Sequence, residues 1–136
     1  MKNHYELNDE VFEKEFSECK MAEAIFNHEA HLRLAWIYIH KYGCRKAEIK
    51  VNEELVRYTK FLGAEQIYNK TVTTMAVRIV DRFAKKQEGI TFKELLVANP
   101  ELMDNFKGLI DQYYSVDVFK SSVAKAHFLE PDLMRV

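Results

Sequence analysis

The stretch from Asn27 to Tyr42 limits what this chain can fold into more than any other segment. It reads as one helix, with Asn27 at its start and Gly43 at the residue just past its end. With His28 at the origin of a wheel of about 100° per residue, Leu32, Ala35 and Ile39 fall within about 40° of it, and His31 about 60° away. Leu34 and Ile37 lie on the opposite side. Glu29, Arg33 and His40 share the polar stripe, and Lys41 stands alone. A helix that is apolar nearly all round needs neighbours on every side. This one therefore predicts an all-α bundle with the second helix central.

The rest of the chain agrees. It holds 4 Gly and 2 Pro in 136 residues, few enough that long helices run uninterrupted. Asn8 reads as the cap of a first helix from Asp9, with Val11, Phe12 and Phe16 at helical spacing and a frayed end near Cys19. Residues 20–26 connect it to the second helix. A third helix spans Arg45 to Leu62, with Ala47, Val51, Leu55, Tyr58 and Leu62 as its apolar stripe and Glu53 and Arg57 as a solvated pair. Residues 63–69 are a loop. A fourth helix runs from Lys70 to Lys86, its inner side formed by Met75, Ile79, Val80 and Phe83, and Gly89 ends it. Thr91 to Glu94 forms a capping box for a short fifth helix. Asn99 and Pro100 open a sixth that reaches Tyr113. Ser115 caps a last helix to Leu129, before Glu130, Pro131 and Asp132 break the pattern. No segment alternates as a strand does. The chain reads as one helical domain over 1–136, with six or seven helices.

Charge narrows the function classes. Twenty basic against 21 acidic residues leave a net −1, without the basic excess of a duplex-binding protein. No apolar run reaches membrane-spanning length, and Cys19 and Cys44 have no metal-knuckle spacing. These features predict a cytoplasmic chain with reduced thiols, no nucleic-acid partner and no membrane partner.

Chemistry concentrates at the start of the second helix. His28 and His31 are three apart, so their rings can converge on one point. Such a pair serves as two ligands of a divalent metal, but needs a third, for which Glu130, Asp132, Cys19 or His127 are the candidates. The spacing is one residue short of the HExxH metalloprotease pattern. A helix N-terminus disfavours imidazolium, so both rings are expected neutral, as hydrogen-bonding core groups or as parts of a polar small-molecule pocket. Trp36 reads as core. Tyr68, Thr71 and Thr73 bracket the start of the fourth helix. They are either caps or, with the exposed amides there, part of the same polar concavity. Glu130, on a tail that folds back, is a candidate to orient a histidine. The tentative ligand set is thus His28, His31, Tyr68, Thr71, Thr73 and Glu130. If the chain is an enzyme, histidine acid–base chemistry is the reading. The rival is an interaction or homodimerisation module whose histidines are structural, because the second helix has more apolar surface than one small bundle covers.

Three short patterns carry a resemblance. Phe26, His28, His31, Leu32, Ala35 and Trp36 fit F-x-H-x-x-H-L-x-x-A-W. Tyr68, Thr71 and Thr73 fit Y-H-x-T-x-T, and Phe128, Glu130, Pro131, Asp132 and Leu133 fit F-x-E-P-D-L. The chain resembles a family of small bacterial helical proteins with these motifs, over residues 16 to 133. The resemblance implies the all-helical fold and no particular reaction. Asn69 stands where that pattern carries His, which removes one conceivable metal ligand.

Overall fold

A computed structural model describes residues 3–136, and those residues form helices and turns with no strand. Eight α-helices and two 3-10 turns appear among them, distributed over two compact units, Met1–Tyr68 and Asn69–Val136. No described helix is long and apolar enough to cross a membrane.

The first unit begins with a 3-10 turn, His4–Glu6, closed by a reciprocal capping box between Asn3 and Glu6. Helix α1 (Asp9–Ser17) follows, and Asn8 caps it by accepting from Val11 N. Its buried side is Phe12 and Phe16; Val11, expected on the same side, is exposed. The helix ends at Ser17, and Cys19 at φ 57° turns the chain away. Helices α2 (His28–Tyr42) and α3 (Cys44–Phe61) form a hairpin joined by Gly43 alone, at φ 84°. A side chain there would be strained, so glycine sets this tight reversal. Ala47, Val51, Leu55 and Tyr58 are buried along α3 as the stripe predicts. Phe16, Phe26 and Tyr58 stack at centroid distances of 4.5–5.4 Å, tying α1 and the 20–26 connector to α3. Arg57 donates to Ser17 O at the C-terminal end of α1.

The second unit is organised on α4 (Lys70–Lys86), whose bounds are those read from the sequence. Asn69 caps it, accepting from Val72 N, and donates to Val118 O at 2.9 Å. Helix α5 (Phe92–Ala98) starts at the Thr91–Glu94 capping box. The expected sixth helix is two: α6 (Glu101–Asp104) and α7 (Phe106–Asp111). Asn105 separates them at φ −149°, ψ 49°; an asparagine side chain competes readily with helical backbone bonds. Nor does Asn99 cap α6. Its amide donates back to Leu95 O and to Gln87, closing α5 instead. Ser115 caps nothing either, because its backbone N–H and hydroxyl both serve Asp132. The last helix, α8 (Ser122–Ala126), is short and is capped by Ser121.

Candidate functional site

Asn27 nucleates the site. Its side chain accepts from Ala30 N at 2.9 Å, which fixes the first turn of α2 and the directions of the three side chains that follow.

His28 is exposed and His31 is half-buried. The wheel put both rings inward; the structure corrects this for His28. It is the first helical residue, and a side chain there leans back past the helix start, beyond the elements that cover the next turns. His31, one turn on, is better covered. Its ring lies 5.7 Å from that of Phe26, and its Nε2 is sealed from solvent with no hydrogen-bond partner among the described residues. Burial, helped by the nearby His28, pushes the His31 imidazole down to about 4. At neutral pH it is an uncharged ring carrying a desolvated, unsatisfied nitrogen. A group so far from neutrality is a poor proton shuttle at pH 7, so the geometry favours binding over acid–base chemistry.

Glu29 and Arg33 belong to a second cluster that the sequence reading missed. Both were expected on a solvated stripe, but the N-terminal turn lies over them. Arg33 is 6% exposed and His4 is 1% exposed. The Arg33 guanidinium donates to His4 O at 2.5 Å, Leu7 O at 2.8 Å and Asp9 Oδ1 at 2.8 Å. It also faces the Phe12 ring at 4.5 Å. Its Nη1 lies 3.3 Å from His4 Nδ1; guanidinium can only donate, so Nδ1 accepts and Nε2 carries the hydrogen given to Glu29 Oε1 at 3.0 Å. Tyr5 donates to the other Glu29 oxygen at 2.9 Å, and burial together with that bond pushes its phenol up. The available signal was an Arg four residues after a Glu on an apolar helix, with His4 and Tyr5 unassigned ahead of α1.

A further buried carboxylate sits between α2 and α3. Glu54 accepts from Tyr38 Oη at 2.5 Å and pairs with Lys50 at 3.0 Å. Burial and that bond push the Tyr38 phenol up, and the carboxylate holds the Lys50 ammonium above its ordinary value.

The remaining expected site residues are distributed as follows. Tyr68, in the first unit, donates to Asn52 Oδ1 on α3 at 2.6 Å, and burial pushes its phenol up to about 12. Thr71 and Thr73 are buried on α4, in the second unit. Thr71 Oγ1 donates to His127 O at 3.0 Å and accepts from Leu129 N at 3.1 Å, so it is a clamp on the C-terminal segment. Glu130 is exposed, with Arg78 Nη1 at 4.0 Å. Thr71 is thus connected to the segment that carries Glu130, while His28 and His31 form their own turn. Trp36 is half-buried, its ring 4.3 Å from that of His40.

No group of three or more His, Cys, Asp or Glu among the described residues is placed to hold a metal ion. The donor set at His28 and His31 lacks the further ligand that useful affinity requires. No family model, curated protein or solved structure matches the chain.

Proposed function

We propose that this protein binds a small polar molecule at the N-terminus of α2, anchored on the buried ring nitrogen of His31, with His28 at the solvent side. The observation that carries this reading is the unpartnered Nε2. A buried polar atom without a partner costs about 1–3 kcal/mol, and a ligand that supplies the missing hydrogen bond recovers that cost on binding. The neutral ring suits an uncharged hydroxyl or amide group better than an anion. The setting we propose is cytoplasmic, which accords with Cys19 and Cys44 being thiols rather than a disulfide.

The test is a screen of small hydroxyl and amide compounds, read by the side-chain nitrogen resonances of His31 in the full chain, with His31→Leu as the control. Compounds that shift those resonances saturably and lose affinity in the variant support the reading. A screen in which His31 never responds goes against it.

A second reading is a homodimer through α3. Ile49 is 56% exposed and Val56 37%, seven residues apart on one side of that helix. Sedimentation of the wild type and of Ile49→Lys distinguishes it: a dimer lost in the variant supports this reading, and a monomer in both removes it.

A further inference from the structure

The second unit carries a cleft of about 300 Å³ lined by Arg78, Glu130, Pro131, Met134, Arg135 and Val136. That volume is at the small end for ligand sites. Two of its six lining residues are arginines and one is a glutamate. The Arg78 guanidinium lies over the Phe128 ring, 4.6 Å from the centroid, which fixes the plane of its donor fork. Glu130 stands 4.0 Å from it at the outer limit of an ion pair, with its side chain 78% exposed. A pair that long and that wet contributes little and is readily displaced.

The wall opposite α4 is held firmly for an irregular segment. Thr71 clamps His127 O and Leu129 N. Tyr114 donates to Leu129 O at 2.7 Å. Tyr113 O accepts from Asp132 N at 3.1 Å and from Leu133 N at 3.0 Å. Ser115 holds the Asp132 carboxylate. Arg82 Nη1 donates to Arg135 O at 3.2 Å. Positions 127–135 therefore present a preorganised rim rather than a loose tail, and preorganisation reduces the entropy lost on binding.

From this arrangement we infer that the cleft binds a small organic acid: the acid group lies between Arg78 and Arg135, and a short carbon body lies on Pro131 and Met134. Guanidinium recognises a planar carboxylate through paired donors, and the two apolar lining residues give that body a dry surface. The inference does not depend on the assignment of the His31 turn.

Titration of the full chain with acetate and with butyrate, followed by amide resonances of residues 128–135 at constant ionic strength, tests the inference. Saturable shifts confined to the cleft are expected, with butyrate binding about threefold or more tighter than acetate. Arg135→Gln, on an exposed side chain that the fold does not need, should weaken butyrate about tenfold, and Arg78→Gln by at least as much. Arg78→Lys keeps the charge but not the planar fork and should fall between. Shifts that grow linearly without saturation, equal affinity for the two acids, or affinity unchanged in Arg135→Gln would each overturn it.

Discussion

Replacing His31 with leucine should stabilise the protein at pH 7 and stabilise it more at pH 5. At neutral pH the substitution removes a desolvated nitrogen that has no partner, a gain of about 1–3 kcal/mol, less whatever leucine loses against the Phe26 ring. The acid part follows from the titration. The His31 imidazole titrates at about 4 in the fold against an ordinary value of 6.5. Between those values the unfolded chain takes up a proton that the folded chain refuses. The stability this group contributes is therefore whole above pH 6.5 and drains as pH falls toward 4. The loss reaches about 2 kcal/mol at pH 5 and about 3 kcal/mol once the folded ring also protonates. Leucine has no such loss. Urea unfolding of both proteins at pH 7 and pH 5 measures the four stabilities, and the gap between variant and wild type should widen by about 2 kcal/mol on acidification. Other acid-sensitive groups, the Glu29 cluster among them, are common to both proteins and cancel in that comparison. A variant that is less stable at pH 7 and follows the wild-type pH dependence would refute the reasoning.

Three further substitutions probe other parts of the structure. Arg33→Met should cost about 3 kcal/mol in urea unfolding, because it leaves His4 O, Leu7 O and Asp9 Oδ1 without their donor; a loss under about 0.5 kcal/mol would mean the cluster is not formed. Asn69→His restores the residue type of the resembling pattern but should lower thermal stability by about 1–2 kcal/mol, since imidazole cannot both cap Val72 N and donate to Val118 O in asparagine's geometry. Thr71→Val should cost about 1–3 kcal/mol and speed amide exchange at Leu129, because one hydroxyl serves both His127 O and Leu129 N. Unchanged exchange at Leu129 would contradict that clamp.

How much was legible in the chain depended on whether the deciding interaction was local. The bounds of α2 and α4 were readable because their caps, Asn27 and Asn69, and the apolar periods that follow lie within a few residues of one another. The Thr91 capping box was readable for the same reason. The breaks after residue 99 were not. Whether Asn99 caps the next helix or closes the previous one depends on Gln87, twelve residues back, and Ser115 is diverted by Asp132, seventeen residues on. The His4–Glu29–Arg33 cluster joins positions 25 and 29 residues apart, so a wheel drawn for α2 alone turned a buried stripe into a solvated one. At the candidate site the residue types of the histidine pair were legible. Their unequal burial was not, because it depends on what covers the first turn of α2.

Nuclear magnetic resonance titration of the His31 ring, with His28 and His127 as internal references, tests the central claim most directly. The account predicts that His31 stays neutral from pH 8 down past pH 5, with a midpoint at about 4. A midpoint at the ordinary value of 6.5 would show a ring open to water and already satisfied, and the proposed anchor would be gone.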